Sequence, residues 1–420
     1  MTPGPRLFIA DPNLETIHGH YLGYAMRIAA AAADLGVTPV ILANRAASIP
    51  DGMDLRPTLL RNYWQEMTPA DGGDPFEHLA ISARLFAETM QATLLDADVG
   101  SGDVLFLPYA NLVETQGMAI LAHRMDTRLP RIVFLFRREL EEQAADTHLD
   151  RRTVTALLRD AFGALSCCAV RTRIRVLTDS DELSGDYEEA LRRRVQTAPI
   201  PVDSRWGHEV PPPAVRSLLY LGDARTEKGY HLLPALARAQ RVSLSAGTLR
   251  LVLQSNLNVP GGEPGIRDAR EALSSMPGVE LLESALTDDE YGRRLGSASL
   301  VLLPYQPSRY VARTSGILAE AIVAGIPAIV PGGTWLSHQV RRFGAGASFD
   351  GTIDGLVRTV DASLAQLEVL RAQARDRSHA FAAFHNPSRL ASFVCGVDVL
   401  AAASRVHGST ADGRLQEQRC

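Results

Sequence analysis

Leu218-Leu-Tyr-Leu-Gly-Asp-Ala-Arg-Thr-Glu-Lys-Gly-Tyr230 is the stretch on which the reading of this chain turns. It opens as a buried strand, turns at a glycine with Arg225 and Lys228 on the turn, and enters a helix. Such a junction suits a diphosphate, because fixed cations and the N–H groups of a helix start converge on one anion. Of the 43 lysine and arginine side chains in the sequence, Lys228 is the one lysine. An arginine-biased sequence can leave a stray lysine anywhere, so the coincidence needs company.

That company stands at Leu302-Leu-Pro-Tyr-Gln-Pro-Ser-Arg-Tyr-Val-Ala-Arg-Thr-Ser-Gly-Ile-Leu-Ala-Glu-Ala-Ile-Val-Ala-Gly-Ile-Pro-Ala-Ile-Val330. A strand ends at Pro304 and a polar loop runs through Arg313. A helix then starts near Ser315-Gly316 and stops at Gly325, before another buried strand. N–H groups at Ser315 and Gly316 would face an anion, and glycine permits close approach. Glu320 follows one turn into that helix among small apolar neighbours, where a carboxylate calls for a reason.

Outward from these two stretches, apolar strand runs alternate with amphipathic segments along the whole chain, which predicts parallel α/β layers. In the first half the strands are Arg6–Asp11, Thr38–Ala43, Asp103–Pro108, Arg131–Phe136 and Arg173–Thr178. Helices are predicted at Tyr21–Leu35, Phe76–Asp96, Leu112–Arg124, Arg151–Leu165 and Glu182–Arg194, with Gly36 ending the first and Asp150 capping the fourth. The segment from Ala46 to Asp74 reads as an irregular excursion. The proline-rich stretch from Ala198 to Pro213 is the best linker candidate. Beyond it, strands are predicted at Ser217–Leu221, Leu249–Gln254, Val279–Leu282, Leu300–Leu303 and Ala328–Val330. Helices follow at Gly229–Ala239, Asp288–Leu295, Ser315–Ala324, Ile353–Ala374 and Pro387–Val406. Two α/β halves of about 200 residues suit a chain of 420 residues. Ligands of such sheets sit at the carboxyl ends of strands, so a cleft between the halves is the expected site.

Composition narrows the partners. The chain is 46% hydrophobic and 22% charged, with a formal charge of -5 and basic and acidic residues interspersed. That balance gives no footprint for nucleic acid. The N-terminus lacks the pattern of a secretory signal, and no apolar run approaches the ~20 residues needed to cross a bilayer. The four cysteines, Cys167, Cys168, Cys395 and Cys420, show no metal spacing and read as thiols of a reducing compartment. A cytoplasmic protein is expected.

With these motifs in place, the chain resembles a GT-B glycosyltransferase and is similar to the retaining family-4 group (glycosyl transferases group 1). The resemblance is strong over Leu218–Tyr230 and Leu300–Pro331 and weak elsewhere. It implies two Rossmann-like domains facing a cleft: an acceptor-side domain at residues 1–205, a donor-binding domain at 206–386, a helix crossing back at 387–406, and a loose tail at 407–420. It implies that Arg225 and Lys228 neutralise a nucleotide diphosphate, that Ser315 and Gly316 touch the phosphates, and that Glu320 binds the ribose. A solvated helix glutamate is the plainer reading of Glu320. The family's first acid, eight residues before Glu320, is replaced by Ala312. Tyr310 and Arg313 are the nearest substitutes in catalysis, although Tyr310 would equally pack as a loop aromatic. Ser284 and Leu286, after the strand at Val279–Leu282, would line the base pocket, while Thr287-Asp-Asp-Glu reads as a helix cap.

In the first half the resemblance places Gly19, with His18 or His20, in a turn facing donor or acceptor, His20 as a catalytic candidate; a surface histidine at a helix start is the alternative reading. Arg138 and Glu139 would meet the acceptor; surface ion pairing explains them as well. Three other signals fail. Gly222 to Gly229 has the wrong order and spacing for a P-loop, and no Gly-x-Gly-x-x-Gly follows the first strand. Asp179-Ser-Asp181 reads as a helix cap rather than a metal-binding pair, so no metal and no cofactor beyond the co-substrate is expected. The implied reaction moves a hexosyl group from a nucleoside-diphosphate sugar to a glycan, lipid-linked or small-molecule acceptor, in polysaccharide or glycoconjugate assembly; peripheral membrane contact is compatible with the sequence, since a surface patch is set in three dimensions. A non-catalytic scaffold of the same fold and a nucleotide-sugar epimerase are the rivals.

Overall fold

A computed structural model describes residues 4–15, 20–48, 55–125, 128–168, 173–203, 215–257, 262–284 and 286–397. Contacts divide the chain into two units, Met1–Pro201 with Pro387–Cys420, and Val202–Asn386.

The first unit is built on a sheet of β1 (Arg6–Asp11), β2 (Thr38–Asn44), β3 (Leu55–Leu59), β4 (Val104–Leu107), β5 (Arg131–Phe136), β6 (Ile174–Thr178) and β7 (Gln196–Thr197). Their spatial order is β3-β2-β1-β4-β5-β6-β7, with every pairing parallel. Central strands such as β4 and β5 are buried almost end to end, the pattern of a parallel sheet covered on both faces. The helices are α1 (His20–Asp34), α2 (Tyr63–Met67), α3 (Pro75–Asp96), α4 (Leu112–Met125), α5 (Leu140–Asp146), α6 (Arg151–Cys167) and α7 (Asp181–Leu191). Gly36 adopts φ 75° just after α1, and the Asp150 side chain caps α6 through Thr153 N–H. Ser180 caps α7, while Asp179 beside it is paired with Arg137.

The second unit carries β8 (Arg216–Tyr220), β9 (Leu249–Gln254), β10 (Val279–Leu282), β11 (Leu300–Leu302), β12 (Ala328–Pro331) and β13 (Gly346–Phe349), ordered β10-β9-β8-β11-β12-β13 and again parallel. Leu218 of β8 pairs with Leu251 on one side and Leu300 on the other. Its helices are α8 (Leu233–Ala239), α9 (Arg241–Ser245), α10 (Ile266–Ser274), α11 (Asp288–Gly296), α12 (Gly316–Val323), α13 (Trp335–Phe343), α14 (Ile353–Ala365) and α15 (Leu367–Phe384). The core gathers Tyr220, Leu251, Leu253 and Leu302 of the sheet with Leu236, Leu273 and Leu356 of the helices. The chain then returns to the first unit as α16 (Pro387–Cys395), whose Leu390, Ala391 and Val394 join the cluster of Ala25 and Ile28. Arg131 and Arg175 fix it by donating to the carbonyls of Cys395 and Phe393.

Four expectations need correction. The excursion after Ala46 holds β3 and α2; Pro57 disguises β3, and the sheet tolerates that proline because β3 is an edge strand. The predicted helix Ile353–Ala374 is two helices divided at Gln366. Gly229–Ala239 begins with a tight 3₁₀ turn at Tyr230–Leu232, since Gly229 is left-handed and Pro234 lacks an N–H. The last helix is described over Pro387–Cys395; positions 398–406 of the prediction, the tail, and most of the linker lie outside the described residues.

Candidate functional site in the second unit

In both sheets the strand order reverses beside the first strand of the series, at β1/β4 and at β8/β11. Ligands of open parallel sheets gather at the carboxyl ends there. In the second unit the β8 end leads into the Gly222 turn and the β11 end into the loop before α12.

Neighbouring strand ends and a helix start hold the turn in shape. Gly222 N–H donates to the Gln254 side chain at 2.7 Å, Ala224 N–H to the Asn256 carbonyl at 3.0 Å, and Thr226 N–H to Glu263 at 2.7 Å. Gly222 has φ 98° and Gly229 φ 72°, both left-handed. At Gly229 a Cβ would lie 1.8 Å from the Pro304 carbonyl oxygen, so only glycine lets the turn close on the β11 loop. Gln306 N–H donates to the Glu227 carbonyl at 2.8 Å, joining the two loops a second time.

This closure brings the cations together. Lys228 Nζ lies over Gly222, and Ile317 of the first turn of α12 borders the same glycine. Burial lowers the Lys228 pKa; Asp223 and Glu227 oppose that effect, and Arg225 and Arg313 add to it. Among the described residues the ammonium has no hydrogen bond or ion pair. Arg225 pairs with Asp223 at 3.0 Å and with Glu227 at 3.6 Å, and Arg313 reaches Glu227 at 3.4 Å. Asn256 donates to Asp223 in turn.

At the start of α12 the Ser315 side chain caps Leu318 N–H, so its hydroxyl is already engaged. What remains for an anion is the helix's positive end at Gly316, which is exposed and has open space where a Cβ would stand. Glu320 is half-buried and accepts a hydrogen bond from Tyr291 of α11, so it is held rather than left in solvent.

The remaining predicted residues divide. Arg313 belongs to the cation group, its guanidinium 5.3 Å from the Tyr310 ring centre. Tyr310 is buried against Tyr305 with ring centres 4.5 Å apart, which makes it a packing residue beneath Arg313. Ala312 is buried and supplies no acid. Ser284 is exposed and Leu286 half-buried, both beyond the end of the edge strand β10, and no hydrogen bond ties them to the cations.

In the first unit, Arg138 pairs with Asp146 at 2.8 Å and lies over the rings of Tyr63 and Trp64 at 4.6 and 4.9 Å. Glu139 occupies the N-cap position of α5 without a side-chain cap bond. His18 and Gly19 lie outside the described residues, and of His20 only its place at the start of α1 is described. Sequence reasoning missed Asp223, Glu227 and Tyr291. The first two could have been found from the alternation of acid and base in Asp223-Ala-Arg-Thr-Glu-Lys228; no local signal marks Tyr291. Among the described residues no cluster of three or more His, Cys, Asp or Glu could hold a metal ion, and no helix is long and apolar enough to cross a membrane.

No protein-family model matches the sequence, and no curated protein matches it. Solved structures do. Sucrose-phosphate synthase from Thermosynechococcus elongatus superposes with a TM-score of 0.65 at 16% identity, covering 97% of this chain and 100% of that one. A trehalose-6-phosphate protein from E. coli, bound with UDP-2-fluoro glucose, gives 0.64 at 11% identity over 94% and 99%. Anabaena HepE, in complex with UDP and glucose, gives 0.59 at 13% identity over 97% and 100%. The fold is GT-B. At these identities the likeness establishes architecture, and activity has to be argued from the site.

Proposed function

We propose that the protein is a nucleotide-sugar-dependent glycosyltransferase that moves a hexosyl group, with retention, to an acceptor hydroxyl. The observation that carries this reading is the convergence of Lys228, Arg225, Arg313 and the start of α12 at the carboxyl ends of β8 and β11. As the glycosidic bond breaks, negative charge grows on the departing diphosphate. Preorganised cations and a helix start stabilise that charge without reorganisation. Charge is met by side chains already in place, so the reading assigns no metal. Glu320, oriented by Tyr291, would accept hydrogen bonds from the ribose hydroxyls, with Ser284 and Leu286 toward the base. UDP in the E. coli and Anabaena structures supports a nucleotide-sugar donor.

Arg138 and Glu139, which follow the end of β5, are with Gly19 the candidates for the acceptor, and His20 at the start of α1 is the catalytic candidate. The setting we assign is cytoplasmic polysaccharide or glycoconjugate assembly, with contact at the membrane face where the acceptor is lipid-linked. A second reading, a nucleotide-binding partner without turnover, is favoured by the buried Ala312. Donor-consumption assays with UDP- and GDP-sugars decide. Acceptor-dependent release of nucleoside diphosphate supports the transferase, and tight binding with no turnover supports the partner. Interconversion of free nucleotide sugars would instead indicate an epimerase.

A further inference from the structure

We infer that Glu227 is a place-holding carboxylate: it occupies the anion position between Arg225 and Arg313, is displaced when a diphosphate binds, and helps expel the product when it returns. This rests on the diphosphate reading and adds to it how the ligand leaves. The two oxygens of Glu227 face different guanidinium groups, Oε1 at 3.6 Å from Arg225 Nη1 and Oε2 at 3.4 Å from Arg313 Nη1. A phosphoryl group presents its oxygens to paired guanidinium groups in the same bridging manner. Both distances are long for ion pairs, whereas Asp223 holds Arg225 at 3.0 Å and is itself held by Asn256. Asp223 is therefore the fixed partner of Arg225, and Glu227 the loosely held one.

The Glu227 main chain cannot follow the side chain, because its carbonyl receives Gln306 N–H at 2.8 Å. Displacement is confined to side-chain rotation, and that side chain is 25% exposed. The two guanidinium groups stay parted around a carboxylate until a stronger anion arrives. Transfer of the sugar converts a phosphodiester oxygen of the donor into a terminal phosphate oxygen, so the departing diphosphate carries more negative charge than the donor did. Cations alone would hold that product more tightly than the substrate. A returning carboxylate weakens the hold on donor and product alike by competing for the same guanidinium groups, and so speeds release of the product.

The test uses the full chain and calorimetry with two probes, inorganic pyrophosphate and UDP, on wild type, Glu227→Gln and Glu227→Asp. Glu227→Gln keeps the shape and removes the charge, and both probes should bind about three- to tenfold more tightly. Glu227→Asp keeps the charge and should stay near wild type. A residue that merely shaped the turn would move affinity the other way, so weaker or unchanged binding in Glu227→Gln overturns the role. If pyrophosphate tightens while UDP binds none of the proteins, the role stands and the nucleotide reading falls. If UDP binds wild type and Glu227→Gln equally, the nucleotide reading stands and the role falls.

Discussion

Lys228 and Gly222 fit each other: a Cβ at Gly222 would lie 2.8 Å from the Lys228 Nζ, so the ammonium occupies the space a side chain would take. Gly222 also adopts φ 98°, which an L side chain resists. Gly222→Ala should displace the ammonium and weaken pyrophosphate and UDP binding by about 1–2 kcal/mol. Calorimetry on variant that melts cooperatively checks this. Full affinity in such a variant would mean that the ammonium is not needed where it lies.

On the proposed reading, the bond from Tyr291 to Glu320 serves the nucleoside and not the diphosphate. Tyr291→Phe leaves Glu320 without its orienting hydroxyl and should weaken UDP binding by about 0.5–1.5 kcal/mol. Pyrophosphate binding should not change, since neither residue is among the cations. Equal loss for both probes would place Glu320 at the phosphates instead of the ribose.

In the first unit, burial and then the neighbouring Glu66 and Asp11 carboxylates push the Glu114 pKa well above its ordinary value, and neither carboxylate oxygen has a hydrogen-bond partner among the described residues. Burial likewise raises Asp11 to about 7, opposed by the hydrogen bond from Asn13 N–H and then by Arg137. Folded Glu114 keeps a proton that the unfolded chain releases, so stability should fall as pH rises above the ordinary carboxylate range. The part due to Asp11 should level off near pH 7. Glu114→Gln should flatten that decline and be more stable than wild type at mildly alkaline pH by about 1–3 kcal/mol. Urea denaturation across pH 5–9 measures it, and parallel curves for the two proteins would contradict it.

Most of this architecture was legible because parallel strands buried on both faces are plain apolar runs, such as Arg131–Phe136. β13 escaped because Gly346-Ala-Ser-Phe349 is short and weakly apolar, and β3 because of Pro57. α13 escaped because its capping box uses Ser337 where a glutamate or glutamine is the usual signal. Within the site, Arg225, Lys228 and the α12 start were readable from glycine punctuation and charge. The contacts of Glu227 with Arg313 and of Tyr291 with Glu320 were not, since each joins residues distant in sequence. Tyr310 looked exposed to chemistry because it sits in a polar loop, yet it packs on Tyr305.

Lys228→Ala, titrated by calorimetry with UDP and with GDP, tests most directly whether the second unit grips a diphosphate. Wild type should bind at least one of the two, and the variant should lose about 1.5–3 kcal/mol of that affinity, the worth of a charge-assisted hydrogen bond. An identical dissociation constant in a folded Lys228→Ala protein would contradict the assignment of this turn as the diphosphate site.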